Sequence, residues 1–556
     1  MSRAALKQAF VQRSREVLLD SSLTTCSRWA SIKRIMGGTF PGPYSTKYHP
    51  WCKEMLDSRA KFNYAMKAAQ MGVTEVGINR AFWTIDVRKK DVLYVLPTAV
   101  NAGDFSRARF GPALELSPKL KEIFTSTNTV GLKQAGTTTL YVRGSRGDSN
   151  LKSVPASVLI LDELDEMDQD QIYLAFERLS GQLEKEVWGI STPTLPGQGI
   201  HLQFQETTQE HFIFKCPCCS RHTELVWPDC VEIIGETIND PRCAESFLKC
   251  KECGGMLRQE DKPTFLGAAK WEVTNPNSDP DMRGFYINQL YSYTITAAEL
   301  VVAYLRGLGD EGADQEFHNS KLGLPKISDT AIISDEMLND AVRNYRRDEL
   351  IPAGGGSRMI TMGVDQGKTN YYTICEWIVD EFNADLNASA VCKVLDHGKF
   401  PEEDWSVLDE LMHQWQVLAC VIDADPQINE ARRFARNYRG FVWLCRYRKV
   451  PSAKEIVVAD EESGAPIATV DRTNWHTAAL GRFRTGRIML PTDVSAEYKE
   501  HMKNLVRCYK KDDDGSLVAT VEKIGADHYA HSLMYAEIAL PLAATLQTGQ
   551  DLSKYL

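Results

Sequence analysis

Two short stretches of this chain have the residue types and spacing for phosphate chemistry. The first is Lys67-Ala-Ala-Gln-Met-Gly72-Val73-Thr74. Binding a phosphate needs backbone N–H groups at a helix start, a cation, and a hydroxyl for the metal, usually written G-x-x-x-x-G-K-[ST]. Gly72 and Thr74 hold their places, while Val73 stands where the lysine belongs and Lys67 where the first glycine belongs. From there Lys67 can reach the phosphates from the opposite end of the loop. Phe62, Tyr64 and Met66 read as the strand leading in, and Thr74 onward as the helix leading out. The second stretch is the apolar run Val158–Leu161 ending in Asp162-Glu163. A carboxylate at a strand end holds Mg²⁺ through water, and the next one orients and deprotonates the attacking water. Asp165, Glu166, Asp168 and Asp170 read as a solvated acidic helix start. Ser191-Thr192 reads as the polar tip of the next strand, placed to sense a terminal phosphate.

A second chemistry lies further on. Met359–Val364 reads as a strand ending in Asp365, followed by strands over 371–379 and 390–395, a helix over 404–415, and a strand over 417–422 ending in Asp423. A helix through Arg432–Tyr438 and the strand Phe441–Cys445 complete a β-β-β-α-β-α-β order, that of ribonuclease H-like domains. In that order the first and fourth strands are neighbours, so Asp365 and Asp423 share a site. Asp527-His528-Tyr-Ala-His531 lies on a helix near the end, and Asp527 supplies a third carboxylate. Two-metal phosphodiester hydrolysis uses such a cluster to clamp Mg²⁺ or Mn²⁺.

Two further features position or assist these sites. Cys216-Pro-Cys218-Cys219 and Cys250-Lys-Glu-Cys253 are paired CxxC motifs, with Gly254-Gly255 supplying a turn. Four thiolates at that spacing suit a structural, tetrahedral Zn²⁺ in a zinc ribbon, with no open catalytic position. Cys218 is an alternative to Cys216 or Cys219. Arg432, Arg433, Arg436, Arg439, Arg446, Arg448, Lys449 and Lys454 form a basic track beside the nuclease residues, suited to DNA phosphates. The net charge of −10 argues against whole-surface DNA binding and is compatible with such a local track, for which a solvated basic face is the alternative reading.

The elements that must hold these residues imply an α/β fold in more than one domain, since 556 residues exceed a single ordinary core. The expected organisation is a helical N-terminal segment over 1–40, with Leu6, Phe10 and Val17 on one face. A P-loop ATPase domain follows over 41–350, carrying the zinc-ribbon insertion at 211–260. A Pro/Gly linker at 351–357 leads to a ribonuclease H-like nuclease domain over 358–540 and a tail over 541–556. No apolar run is long enough for a membrane span, and the N-terminus has no apolar signal segment, so a cytoplasm is expected. In that compartment the 14 cysteines are thiols or metal ligands.

Taken in order, these motifs resemble the large subunit of tailed-bacteriophage terminases of the lambda (GpA-like) type, over about residues 45–540. Val95-Leu-Pro-Thr98, Gly284-Phe-Tyr-Ile-Asn-Gln-Leu-Tyr291 and Phe317-His-Asn-Ser-Lys-Leu-Gly-Leu-Pro325 add to the likeness. The resemblance implies ATP-driven translocation of concatemeric double-stranded viral DNA into a procapsid, and metal-dependent cutting of that DNA. Lys67 would bind phosphate, Thr74 and Asp162 the Mg²⁺, and Glu163 would be the catalytic base. Asp365, Asp423 and Asp527 would hold the nuclease metals, with His528 and His531 as alternatives for the third ligand. Trp51, ahead of the phosphate loop, would stack on adenine, and Arg143 or Arg146 would serve as arginine finger. Expected partners are a small terminase subunit, the portal protein and further copies in a ring, in the host cytoplasm at the portal vertex.

Two other readings fit parts of the sequence. A zinc-ribbon, helicase-like remodelling ATPase without nuclease activity explains Asp162-Glu163 and the CxxC pairs but leaves the second domain idle. A non-enzymatic zinc-stabilised scaffold takes its support from the missing lysine after Gly72.

Overall fold

The computed structural model describes residues 25–125, 127–146, 151, 154–328, 331–350, 358–379, 386–448, 457–459, 464–511 and 516–549. The chain divides into two units, Met1–Lys326 and Ile327–Leu556. The division falls ahead of the expected linker at 351–357, which lies outside the described residues. Ile333, Leu338 and Ala341 pack into the core of the second unit. Leu6, Phe10 and Val17 also lie outside the described residues. Of the N-terminal segment, helix α1 is seen (Cys26–Lys33).

The first unit is built on a mixed sheet of eleven strands. Seven are used here: β1 (Phe62–Lys67), β2 (Val92–Leu96), β3 (Thr138–Gly144), β4 (Val158–Asp162), β5 (Glu186–Ser191), β6 (Glu210–Lys215) and β7 (Met282–Ile287). They run parallel in the order β6-β7-β1-β5-β4-β2-β3. Every residue of β2, β4 and β5 is buried, as expected for strands covered on both faces. This burial explains the unbroken apolar run of Val158–Leu161. Helix α2 (Val73–Trp83) follows β1 directly. Parallel strands bring their carboxyl ends to one edge, so Lys67, Asp162 and Ser191 end there together. The cysteine-rich stretch adds a small antiparallel sheet of Val231–Glu232, Phe247–Lys249 and Met256–Leu257.

The second unit carries an eight-stranded sheet. Strands β8 (Ile360–Asp365), β9 (Thr369–Ile378) and β10 (Val391–Pro401) form an antiparallel meander. Helix α3 (Ser406–Trp415) leads to β11 (Ala419–Asp423), which pairs parallel with β8. Helix α4 (Ile428–Asn437), strand β12 (Val442–Tyr447) and strand β13 (Pro466–Val470) follow, with β12 parallel to both β11 and β13. The expected order and the pairing of first with fourth strand are both present. Helix α5 (Arg472–Thr485) and a hairpin, β14 (Leu505–Lys511) with β15 (Leu517–Lys523), precede helix α6 (His528–Thr548). Helix α6 is buried along most of its length and runs past residue 540, where a separate tail was expected. Its approach to β8 depends on Gly363, where a Cβ would meet Ser532 O at 2.0 Å and Ala536 N at 2.2 Å. Thr361 Oγ1 donates to Ala536 O at 2.7 Å across the same seam.

Candidate functional site

In the first unit, three strand ends meet around Lys67. Its Nζ donates to Glu163 Oε1 and to Thr192 Oγ1, each at 3.2 Å. Ala68 N donates to Ile287 O and Ala69 N to Ser320 O, both at 2.8 Å, and Gln289 Nε2 donates to Ala69 O at 2.9 Å. The first two loop amides are therefore spent within the protein. Amides left over for an anion would have to come from residues nearer the start of α2. There Gly72 sits at φ 74°, in the left-handed region, with His49 only 2.9 Å from where its Cβ would be.

Asp162 ends β4 and is buried. Its Oδ2 accepts from Tyr94 OH at 2.6 Å, while its buried Oδ1 has no hydrogen-bond partner. Burial, with the neighbouring Glu163 charge, pushes its carboxyl up to about 7. A buried carboxylate oxygen left over in this way fits a hydrated Mg²⁺. Glu163 follows at φ 59°, a conformation costing a non-glycine residue about 1–3 kcal/mol. It places the carboxylate on Lys67. Thr74, half-buried, lies in the first turn of α2.

Other positions differ from the sequence expectation. Trp51 is only 1% exposed and its Nε1 donates to Met71 O at 2.8 Å. It braces the loop from inside the core and is not presented to a base. The open space beside Gly72 is a cavity of about 740 Å³, lined by Phe40, Tyr48, His49 and Arg109 among others. Phe40 and Tyr48 stack there at 4.2 Å. Asp165 is not part of a solvated face: its two oxygens accept from Thr194 N and Ile200 N, both at 2.7 Å, and burial raises it to about 7. It ties down the loop after β5. Glu166 and Asp168 are exposed, as expected, and the Asp170 side chain lies outside the described residues. Arg143 is turned onto the carbonyls of Gly131 and Val142 within its own sheet.

The sulfur atoms of Cys216, Cys219, Cys250 and Cys253 lie within 4.8 Å of one another. Two similar turns present them. Ser220 N donates to Cys216 O and Gly254 N to Cys250 O, at 2.9 and 2.8 Å. Ser220 and Gly254 both have positive φ. Tetrahedral Zn–S bonds of ~2.3 Å would set the sulfurs about 3.8 Å apart, which this cluster can meet with small rotations. Cys218 is exposed, its Sγ directed to Met256 O at 3.7 Å, outside the cluster.

In the second unit, Asp365 and Asp423 end the paired parallel strands β8 and β11. Burial, and the Asp365 charge, raise Asp423 to about 6. Two carboxylates at the ends of paired strands suit a divalent cation. Asp527 stands at the N-cap position of α6 without a side-chain cap hydrogen bond. Among the described residues these carboxylates do not close together as the thiols do. Asp365 Oδ2 lies 2.9 Å from His528 Nδ1, and that hydrogen bond raises the His528 pKa. Asp527 Oδ2 lies 3.2 Å from His531 Nε2. Burial pushes the Asp527 carboxyl up, but that bond and the nearby positive charges hold it below its ordinary value.

Sequence reasoning missed two tyrosines here. Tyr447 OH lies 3.1 Å from His531 Nδ1 and donates to Tyr535 OH at 2.7 Å. Nothing in their spacing signals the contact, because one ends a strand and the other lies two turns into a helix. Arg432, Arg433 and Arg436 lie on α4, and Arg446 and Arg448 at the end of β12. Asp423 pairs in register with Cys445, so the exposed Arg446 stands one residue beyond the level of that carboxylate. Arg446 Nε is 3.6 Å from Asp425, and Arg433 pairs with Glu430. Lys449 and Lys454 lie outside the described residues.

A phosphate loop beside a carboxylate-ended strand, and a ribonuclease H-like sheet with acids at one edge, define a two-domain protein of the nucleoside-triphosphatase and nuclease class. Residues 38–271 match the family model described as phage terminase large subunit gpA, ATPase domain. Residues 282–516 match that of terminase large subunit gpA, endonuclease domain. The two together account for most of the chain, and the chain belongs to the gpA family of phage terminase large subunits. A curated relative, the terminase large subunit of Enterobacteria phage P21, is 22% identical over 382 residues, covering 61% of this chain. The match spans 56% of that relative, a little over half its length. The crystal structure of the HK97 bacteriophage large terminase aligns over 94% of this chain and 99% of its own, at 11% identity and a TM-score of 0.47. The large terminase nuclease of thermophilic phage G20c aligns over 36% of this chain and 94% of its own, at 12% identity and a TM-score of 0.22.

Proposed function

We propose that the chain is a packaging motor and nuclease. It hydrolyses ATP to drive concatemeric double-stranded viral DNA into a procapsid, and it cuts that DNA with divalent metal ions. The observation that carries this reading is the meeting of Lys67, Glu163 and Thr192 from three neighbouring strand ends, with Asp162 beside them. In the working cycle Lys67 leaves Glu163 to neutralise the phosphates, and Glu163 takes the proton of the attacking water. Val73 and Thr74 supply the helix start, and Thr74 with Asp162 hold Mg²⁺. The base enters the cavity at Phe40, Tyr48 and His49, a role supported by its place beside Gly72. Bound Mg²⁺ supplies charge neutralisation at the transferring phosphoryl group.

In the second unit Asp365, Asp423 and Asp527, or a histidine beside them, hold Mg²⁺ or Mn²⁺. The metal supplies Lewis acidity to the scissile phosphodiester. Asp365 and Asp527 would hold the ion in place of their present contacts with His528 and His531. Arg446 and Arg448 contact the DNA backbone at the same sheet edge, and Arg432, Arg433 and Arg436 extend the contact along α4. Zn²⁺ on Cys216, Cys219, Cys250 and Cys253 holds the ribbon. A small terminase subunit, the portal protein and further copies of the chain are the partners this activity needs, in the host cytoplasm. The helicase-like reading without cutting is disfavoured by the endonuclease-domain match over 282–516.

Supercoiled plasmid and Mn²⁺ test the reading, with Asp365→Ala beside the wild type. Cutting by the wild type alone supports it. Equal cutting by both removes Asp365 from the site, and no cutting by a folded, zinc-loaded wild type in the presence of a small subunit returns the chain to the helicase-like reading.

A further inference from the structure

Glu75 stands one residue past Thr74, in the first turn of α2. Two guanidinium groups hold its carboxylate. Arg34 Nη2 donates to Oε2 at 2.7 Å, and Arg109 Nη2 to Oε1 at 2.9 Å. The two cations differ in setting. The Arg34 side chain is 2% exposed and is also fixed by Asn79 Oδ1 at 3.0 Å. The Arg109 side chain is 44% exposed and comes from a single π-helical turn, Ser106–Phe110. One such ion pair satisfies Glu75, so the second leaves the trio with a net positive charge. That charge faces the cavity of about 740 Å³, whose lining includes Arg34, Gly72, Glu75 and Arg109. Arg34 Nη1 is buried there without a hydrogen-bond partner. The positive end of α2 opens beside it.

We propose that Arg109 is a nucleotide-binding residue contacting the α-phosphate side of the bound nucleotide, with Glu75 as its holding partner until nucleotide arrives. This rests on the ATP-site reading above. Lys67, Glu163 and Thr192 mark the end of the loop where the terminal phosphate reacts. Thr74 lies between, and Glu75 beyond it, so a cation held on Glu75 lies at the opposite end of the triphosphate. Arg109 needs only a side-chain rotation to transfer from carboxylate to phosphate, since Arg34 continues to neutralise Glu75. A π-helical turn is a common carrier for such a residue.

An α-phosphate contact is made equally by ATP and ADP, which sets the test. Binding of fluorescent ATP and ADP analogues to the full chain is measured for wild type, Arg109→Ala, Arg109→Lys and Glu75→Gln. Loss of a charge-assisted hydrogen bond weakens binding about tenfold. Arg109→Ala is expected to lose that much affinity for both nucleotides, raising KM with little change in kcat, and Arg109→Lys to recover part of it. Glu75→Gln, which frees Arg109, is expected to bind both more tightly. Loss confined to ATP would place Arg109 at the terminal phosphate and overturn the assignment. Equal weakening by Arg109→Ala and Glu75→Gln would reduce the pair to a structural tie and overturn it too. A wild type that binds neither nucleotide would instead overturn the ATP-site reading itself.

Discussion

Lys67 Nζ lies 3.2 Å from Glu163 Oε1, a pairing between residues 96 positions apart that joins the last residue of β1 to the residue after β4. The two groups neutralise each other, the lysine buried and the glutamate partly open to solvent. Phosphate must compete with Glu163 for the lysine, and the competition releases the carboxylate to act on water.

Lys67→Ala should lower ATP turnover by about a hundredfold, the usual scale for removing a charge aimed at the reacting group. Glu163→Gln should reduce turnover at least as much while binding nucleotide more tightly than wild type, since the competing carboxylate charge is gone. Steady-state hydrolysis with and without DNA, alongside equilibrium binding, measures both. Unchanged turnover in Lys67→Ala would remove the lysine from the site.

Asp423 gives the nuclease unit a pH signature. Its folded pKa of about 6 stands above the ~3.9 of an unfolded aspartate. The native state therefore holds this proton more tightly than the unfolded chain does. Its stabilising contribution is present below about pH 4 and is lost as pH rises towards 6. Mn²⁺ binds the deprotonated form, so the rise in Tm on adding Mn²⁺ should be larger at pH 7 than at pH 5. In Asp423→Asn that difference between the two pH values should largely disappear. A Mn²⁺ effect independent of pH in the wild type would contradict this account.

Removal of zinc should unfold the cysteine-rich stretch. Structural zinc binding is worth roughly 10 kcal/mol or more in comparable small sites, more than so small a sheet can replace. Elemental analysis should find one zinc per chain, lost in Cys250→Ser and kept in Cys218→Ser. Loss of zinc in Cys218→Ser would move that thiol into the ligand set.

Gly363→Ala tests the seam between β8 and α6. No side chain can give way there, because the atoms a Cβ would meet are backbone. The substitution should cost the second unit about 3 kcal/mol, at the upper end for overpacking. Denaturant unfolding would register it as a lower midpoint, and an unchanged midpoint would mean that α6 shifts freely on the sheet.

Much of this was legible in the sequence wherever a local pattern coincides with a local cause. Val158–Leu161 and Val417–Ile422 read as strands because central parallel strands are buried on both faces, and their terminal aspartates then fall at one edge. Trp51 was misread because chain position ahead of a loop does not fix which side of the backbone a side chain packs against. Asp165 looked solvated from its acidic neighbours, whereas its partners are the amides of Thr194 and Ile200, supplied by a later turn. Arg109 carried no signal at all, since its link to Glu75 spans 34 residues and depends on one π-helical turn.

Gly323 packs against Lys67 and Ala68, where a Cβ would meet Ala68 N at 2.6 Å, and Ser320 O accepts from Ala69 N. A close-packed joint of this kind has no slack. Residues 320–323 and the start of the phosphate loop therefore form one packed joint. Loop and segment are clamped together, so a side chain added at position 323 would displace the phosphate loop as well.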